Sequence, residues 1–381
     1  MTDLTELRER INRIDSQILD LFQQRMAVAA DIAECKAAAG RPVYDRRRER
    51  ENIQRAADAV PPELSGYAAV LESVLMEAAR ASEYRRIGRR DEMAGRIAAA
   101  LASQPTVFPQ QAFVACQGVE GAYQQIAVDK LFRHAQISFF DTFEGVFRAI
   151  EEGLCKFGVI PVENSTAGSV THVYDLMMRH DFHIVRSCRL RIDHNLLVNP
   201  GTRREDVRIV YSHEQAIAQC AGYIAQIPDC RVHVCENTAT AAEQVARSGR
   251  TDVAALASRD CASLYGLEIA DRSVQDQSNN YTRFACIQRG LSIYPGADRS
   301  SLMVVTSHEP GALFKVLARF YALDINLLKL ESRPIPDRDF EFMFYFDIEC
   351  PAAAPQFLTL VGSLSDVCEE WRYLGSYAEA L

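Results

Sequence analysis

The sequence predicts a multidomain protein: an all-α module of three helices, then an α/β module, then an α+β module of order βαββαβ. Three observations carry this. Apolar residues recur at helical spacing through residues 4–86 with no strand-like run between them. From Ala112 to Gln288 short apolar runs alternate with helical patterns, as in α/β folds. Past Arg299 the order becomes strand, helix, strand, strand, helix, strand. A chain of 381 residues has room for two or three domains. The changes of pattern place them at 1–87, 109–290 and 298–381, with a linker over 88–108.

In the first module Leu4, Leu7, Ile11, Ile14, Ile18 and Leu21, then Val28, Ile32 and Cys35, alternate spacings of three and four. That is one long amphipathic helix, stopped by Gly40 and Pro42. It is long for a small domain, so its stripe is expected against a partner helix or a second chain. Arg25 falls where the repeat asks for an apolar side chain. A second helix is predicted from Asp45 to Ala59, stopped by Pro61-Pro62. A third runs from Pro62 to Arg86, with Val70, Leu71, Val74, Leu75 and Ala78 as its buried face. Arg85 to Thr106, charged and alanine-rich, reads as a partly helical linker.

In the second module strands are predicted at 113–116, 137–139, 157–162, 183–190, 195–198, 208–211, 232–235, 253–256 and 284–288. Helices fall near 123–133, 142–152, 171–180, 213–226, 238–248 and 258–264. In the third, Leu302–Thr306 is a strand, Pro310 opens a helix to Ala322, and Ile325–Leu330 is a second strand. Phe340–Ile348 alternates Phe342, Phe344, Phe346 and Ile348 with more polar neighbours, a half-buried strand. A helix near Pro355–Ser363 and a strand Trp371–Leu374 complete the motif. Such a sheet, with both helices on one face, leaves its other face or an edge free for a partner.

Composition narrows the function. The formal charge is -9, yet residues 1–100 are neutral and rich in arginine, which suits a small anionic ligand better than nucleic acid. Eleven cysteines without a C-x-x-C pair read as reduced thiols of a cytoplasmic protein. The polar, acidic N-terminus is not that of a signal peptide, and no apolar run reaches membrane-spanning length. No G-x-G-x-x-G follows a strand, which counts against a nicotinamide-binding domain.

Two polar clusters stand at strand–loop junctions, where α/β folds place ligand-contacting groups. One is Glu163-Asn164-Ser165-Thr166-Ala167-Gly168 and the other Asn279-Asn280-Tyr281-Thr282-Arg283. Taken alone, either is also ordinary turn chemistry.

Together with Gly118-Val119-Glu120-Gly121-Ala122-Tyr123, Tyr211-Ser212-His213 and Leu264-Tyr265-Gly266-Leu267, the segments Pro161 to Ser165 and Thr282 to Phe284 stand in the order of dehydratase signatures. Gly311-Ala312-Leu313 and Glu331-Ser332-Arg333-Pro334 are similar to the phenylalanine-binding motifs of ACT regulatory domains. Over essentially its whole length the chain resembles the bifunctional chorismate mutase–prephenate dehydratases of phenylalanine biosynthesis. The resemblance implies a helical mutase module, a dehydratase domain like the two-lobed periplasmic binding proteins, and a C-terminal ACT domain. It implies chorismate and prephenate as substrates, phenylalanine as allosteric inhibitor, and a homodimer or higher homo-oligomer. It calls for no cofactor, metal, nucleic acid or membrane.

By the same resemblance Arg8, Arg25, Lys36, Asp45, Arg48 and Glu49 serve the mutase, with Arg8 reaching a pocket of the other protomer. The rearrangement needs no nucleophile or metal. It needs a dicarboxylate held compact and cations for charge growing on the ether oxygen, which arginine clamps and a lysine provide. Arg25 and Lys36, three helical turns apart, point from one face. Without the resemblance, Arg25 could snorkel and Asp45 merely cap a helix. Where the family carries a serine and a glutamine in the third helix, this chain has Ala79 and Glu83. Glu83 stands in for a donor to the ether oxygen and can donate only when protonated.

In the dehydratase Thr282 is the implied hydrogen-bond donor to the departing hydroxyl. Glu163, Asn164, Ser165, Ser212 and Gln219 surround the substrate, Arg283 is a carboxylate partner, and Glu163 or water is the proton source. His194 and His213, beside apolar strands, read as structural. Gln124-Gln125 departs from the family's loop. Gly311, Ala312, Leu313, Glu331, Ser332 and Arg333 are the implied effector-binding residues. Two alternatives stay open: an active dehydratase with a decayed mutase, and a non-catalytic small-molecule sensor.

Overall fold

The computed structural model describes residues 3–41, 45–87, 92–336, 338 and 341–380. Its helical module is α1 (Leu4–Ala38), α2 (Arg46–Asp58) and α3 (Pro62–Ile87). Asp3 accepts from the Thr5 N–H and Asp45 from the Arg48 N–H, capping α1 and α2. Pro62 sits in the first turn of α3, where its missing N–H costs nothing. α1 contributes only Ala29, Ala30 and Ala33 to the buried core. Residues 3–21 are exposed throughout, so the stripe from Leu4 to Leu21 is uncovered within its own chain. The expected buried face of α3 is corrected: Val70, Leu71 and Val74 are exposed, while Met76, Ala79, Arg80 and Glu83 turn inward. Two residues advance a helix by roughly 200°, so these are opposite faces. The inner one is chosen by charge pairing with α1 and α2.

The expected linker contains helix α4 (Glu92–Ala102), while residues 88–91 lie outside the described ones. Ile97 is wholly buried and packs with Ala100, Met93 and Leu101 into the core of the C-terminal module. An alanine-rich stretch is a good helix former, and its few larger apolar residues fall on one side. It is therefore core rather than linker.

The α/β module has two lobes. In the first, β1 (Gln111–Gln117), α5 (Tyr123–Leu131), β2 (His134–Phe140), α6 (Phe143–Glu151), β3 (Phe157–Asn164), β4 (Gly168–Ser169), α7 (Thr171–Arg179) and β5 (His183–Arg191) follow in order. The second holds β6 (Asn195–Val198), β7 (Ile209–His213), α8 (Glu214–Gln219), α9 (Ala221–Ile224), β8 (Arg231–Cys235), α10 (Thr238–Ser248), β9 (Val253–Ala257), α11 (Arg259–Tyr265) and β10 (Glu268–Asp271). The chain then returns to the first lobe as β11 (Tyr281–Gln288), antiparallel between β5 and β3. The second sheet has the order β10-β6-β9-β7-β8. Two crossings, at 192–194 and 272–280, join the lobes. Strands β4 and β10, too short for a periodic signal, were not foreseen.

The C-terminal module is β12 (Arg299–Val305), α12 (Ala312–Ala322), β13 (Asn326–Pro334), β14 (Phe342–Glu349), α13 (Pro355–Leu364) and β15 (Glu370–Tyr377), in sheet order β13-β14-β12-β15. Helix α12 begins at Ala312 rather than Pro310, because Gly311 takes φ 81° as its N-cap, a conformation that favours glycine. Phe340, the expected start of β14, lies outside the described residues. On one face Leu302, Val304, Phe346 and Ile348 pack under α12, α13 and α4. On the other, Met303, Val305, Met343 and Tyr345 pack on Tyr174, Met177 and Ile184 of the first lobe. The sheet face opposite the helices is thus covered by the chain itself, and β13 and β15 are its edge strands. β16 (Glu379–Ala380) adds to β5 in the first lobe's sheet, whose order is β16-β5-β11-β3-β1-β2 with β4 on β3. At Gly375 a Cβ would stand 2.1 Å from the Ile184 carbonyl oxygen, so glycine permits this approach. No described helix is long and apolar enough to cross a membrane.

Candidate active sites

The ends of β3 and β11 lie side by side, with Thr282 opposite Asn164 and Arg283 opposite Glu163. Side chains on a strand alternate between faces, so the two pairs point opposite ways. Asn164 and Thr282 turn toward the crossing segments between the lobes; both are buried.

Asn164 is oriented by the backbone. Its Oδ1 accepts the N–H groups of Thr166 (3.1 Å) and Ala167 (2.9 Å). A backbone N–H can only donate, so this atom is the carbonyl oxygen. Asn164 Nδ2 therefore faces Thr282 Oγ1 at 2.9 Å and Asn280 Oδ1 at 2.8 Å. Thr282 Oγ1 accepts that bond, which leaves its own proton to give to another oxygen.

Gln219, at the end of α8 in the second lobe, donates to Thr166 Oγ1 at 2.9 Å. Its Oε1 meets Asn280 Nδ2 at 2.8 Å and His194 Nε2 at 3.1 Å. Ser165 Oγ donates to the Asn279 carbonyl at 2.7 Å and accepts the Tyr281 N–H at 2.9 Å, fastening the β3 end to β11. A cavity of about 300 Å³ between the lobes is lined by Thr166, Gln219, Gln275, Asp276 and Asn280. Burial pushes both His194 and His213 below the usual imidazole range. His213 caps α8 by accepting the Gln215 N–H at Nδ1, 3.3 Å away.

Three expected site residues are placed elsewhere. Ser212 is fully buried in the second lobe and donates to the Leu256 carbonyl at 2.7 Å, because alternation along β7 turns it into that sheet's core. Glu163 faces the C-terminal module, where Lys329 Nζ lies 3.2 Å from Oε1. Arg283 goes the same way: its Nη2 donates to Asp347 Oδ2 at 2.5 Å, and its Nε lies 3.5 Å from Glu163 Oε2 without hydrogen-bond geometry. Both are interface groups, one residue out of phase with the cleft.

In the helical module Arg25 and Lys36 both turn toward α3. Arg25 donates to the Leu75 carbonyl at 2.7 Å and pairs with Glu72, and Lys36 lies 3.2 Å from Glu83 Oε2. Arg80, 5% exposed, pairs with Glu49 at 3.3 Å and with Glu77. Burial pushes the Glu49 carboxyl up, with Arg80 opposing. Asp45 is spent on its cap, and Arg48 and Arg8 are exposed, Arg8 in the uncovered half of α1. Glu77 carries the module's contact with α12, pairing with Arg319 at 2.9 Å.

At the C-terminal module Gly311, Ala312 and Leu313 line a cavity of about 450 Å³ with Thr306, Phe342 and Phe344. Ser332 is exposed on the edge strand. Glu331 accepts from Ser169 and Arg333 pairs with Asp175 at 2.9 Å, so these two face the first lobe.

Residues 114–291 match the family model described as prephenate dehydratase, and residues 7–84 that of chorismate mutase type II. The arogenate dehydratase/prephenate dehydratase 1 of Arabidopsis thaliana is 37% identical over 281 residues, 69% of this chain and 71% of that protein. The chain belongs to the prephenate dehydratase family. A bifunctional chorismate mutase/prephenate dehydratase of Escherichia coli K12 is 28% identical across 98% of this chain and 96% of its own. Among solved structures, the prephenate dehydratase from Arthrobacter aurescens in complex with L-Phe aligns with a TM-score of 0.65 at 24% identity, over 70% of this chain and 90% of that one. A protein described as a quorum-quenching acylase, GqqA, aligns at 0.64 and 31% identity, over 70% of this chain and 97% of its own.

Within this dehydratase the departures at Gln124 and Gln125 are absorbed locally. Gln124 donates to Gln117 Oε1 at 3.0 Å, and Gln125 accepts the Gly121 N–H at 2.7 Å. Sequence reasoning held Asn280 only as part of a polar cluster, read His194 as structural, and did not place Arg80 in a site. A buried-looking arginine amid the apolar positions of α3 was the available signal for the last.

Proposed function

We propose that the chain performs two consecutive steps of phenylalanine biosynthesis and is inhibited by phenylalanine. The helical module rearranges chorismate to prephenate. The two-lobed domain converts prephenate to phenylpyruvate, and the C-terminal module, an ACT domain, binds the inhibitor. The orientation of Thr282 by Asn164 carries this reading. As the ring carboxylate of prephenate leaves as carbon dioxide, its electron pair enters the ring and expels hydroxide, which takes up a proton and becomes water. Thr282, accepting from Asn164, offers its proton as a hydrogen bond to that departing oxygen. Glu163 faces away, so the proton is drawn from water. Ser212 and Arg283 then act in folding rather than on substrate.

For the mutase, Lys36 supplies the cation beside the ether oxygen and Glu83 the donor when it holds a proton. The chain is active as a homodimer or larger oligomer. Support comes from the uncovered half of α1 with Arg8, and from Leu64, Tyr67, Val70, Leu71 and Val74 of α3, all exposed. Phenylalanine binds where Gly311 lets the backbone approach it, with Ser332 of a second chain on the opposite side; Glu331, turned to the first lobe, takes no part. Turnover tests the whole reading: chorismate should yield phenylpyruvate. Thr282→Ala should stop phenylpyruvate while prephenate accumulates. Equal loss of both activities would count against separate sites.

A further inference from the structure

The polar group around Thr282 is ordered by a chain of donors and acceptors that begins at two backbone amides. Thr166 and Ala167 N–H fix Asn164 Oδ1 as an acceptor, as derived above. Thr166 Oγ1 lies 2.7 Å from that same oxygen, so the hydroxyl proton is used there. Thr166 Oγ1 must then accept from Gln219, which places Gln219 Nε2 on that side and Oε1 on the other. Two groups face Gln219 Oε1: Asn280 Nδ2, whose own oxygen takes the Asn164 amide, and His194 Nε2. Both must donate. His194 thereby carries a proton on Nε2, and its Nδ1 is buried with no hydrogen-bond partner among the described residues.

His194 is also pinned to both crossings. Its N–H donates to Gln275 Oε1 at 3.0 Å, and its carbonyl accepts the Val274 N–H at 2.8 Å. The ring is 2% exposed and meets Tyr123 edge-on. It thus enters the group from the hinge between lobes, where its backbone cannot shift without moving both strands.

From this we infer that His194 is a positioning residue of the dehydratase: through Gln219 it fixes the amides that hold Thr282 as a donor. Without the His194 donor only Asn280 holds Gln219 Oε1, and the amide nitrogen that Gln219 gives to Thr166 is held less firmly. Asn164 Oδ1 then loses the Gln219 nitrogen 3.5 Å away and a steadily held Thr166, both of which help to aim its amide at Thr282. Burial keeps the imidazole uncharged, in agreement with the tautomer that the geometry requires. The inference rests on the dehydratase reading given above.

The experiment uses the full-length protein and compares His194→Phe, His194→Gln, Asn280→Ala and Thr282→Ala. His194→Phe keeps the ring packing and removes the donor. It should lower kcat for phenylpyruvate formation about tenfold, the worth of one hydrogen bond, with KM unchanged to within about twofold. Mutase rate and melting temperature should stay at their wild-type values. His194→Gln restores an N–H in that direction and should recover kcat to within about threefold. Asn280→Ala removes the other donor to the same oxygen from a distant part of the chain. It should reproduce the kcat loss, and decides the matter should His194→Phe fail to fold. Wild-type kcat in a folded His194→Phe, a loss carried by KM alone, or a loss that glutamine does not restore would overturn the inference. If Thr282→Ala itself remained active, the dehydratase reading would fall first.

Discussion

Asp347 and Arg283 meet where the C-terminal sheet lies on the dehydratase lobe, with side chains only 12% and 11% exposed. Burial works against the guanidinium charge, yet the carboxylate outweighs it and raises the pKa of Arg283 above its ordinary value. Asp347 also accepts from Ser301 at 2.5 Å, so both its oxygens are engaged. Asp347→Ala would leave a guanidinium out of water with Glu163 only 3.5 Å from its Nε as remaining company. Removing one partner of such a pair costs about 3–5 kcal/mol. For a unit of this size that corresponds to roughly 6–10 °C in melting temperature, at about 2 °C per kcal/mol. Calorimetry on the single and double variants measures it. Arg283→Met added to Asp347→Ala removes the orphaned charge and should recover a good part of the loss, with a coupling of at least about 1 kcal/mol. A melting temperature for Asp347→Ala within about 1 °C of wild type, or purely additive effects, would mean that the pair is not buried and the sheet does not sit on this lobe.

Four further outcomes follow. Glu83→Gln supplies an N–H to the ether oxygen and relieves Lys36 of its 3.2 Å ion pair; it should raise the mutase rate by about tenfold or more. A mutase rate unchanged by the substitution would remove Glu83 from the ether oxygen. Ser332→Trp should relieve phenylalanine inhibition without lowering the uninhibited dehydratase rate, and equilibrium dialysis should show weakened binding. Cleavage within 88–91 should leave a helical part with mutase activity and a remainder with dehydratase activity, whereas a cut at 103–106 strands the buried Ile97 and should lower the melting temperature of the remainder. His183, 4% exposed at the contact with Tyr373, is pushed by burial from 6.5 down to about 4. The unfolded chain binds that proton first, so stability is complete above pH 6.5 and falls by about 3 kcal/mol toward pH 4; urea titrations should show His183→Phe losing less over that window.

Periodicity made most of the fold legible. Short apolar runs such as Phe157–Val162 and Asn195–Val198 between turn signals fit buried strands, which the structure has there, and the alternation through Phe342, Phe344 and Phe346 marks a strand whatever covers it. What periodicity does not carry is which surface meets which. The helix-side face of the C-terminal sheet and its lobe-side face are both apolar, and nothing local says that the second is covered by Tyr174 and Met177 rather than by another chain. Likewise α3 is apolar on the side that stays exposed, and its buried side is chosen by Arg80 and Glu83 finding partners on α2 and α1. The burial of helix α4 hid because alanine and charge together read as a partly helical linker, while Ile97 and Ala100 are the residues it buries.

The candidate site was legible in composition but not in direction, and a rule available beforehand would have supplied the direction. Glu163 and Asn164 are neighbours on β3, and Thr282 and Arg283 are neighbours on β11. Neighbours on a strand cannot face the same ligand. Once Thr282 is taken as the donor in the cleft, Arg283 must leave it, and Glu163 follows because it stands opposite Arg283. The polar clusters are therefore two sites interleaved at single-residue spacing: Asn164 with Thr282 toward the lobes, and Glu163 with Arg283 toward Lys329 and Asp347. A shift of the C-terminal sheet that moves Asp347 or Lys329 acts on β3 and β11 one peptide away from Asn164 and Thr282. On the proposed reading, inhibition from that module requires no residue of it in the cleft.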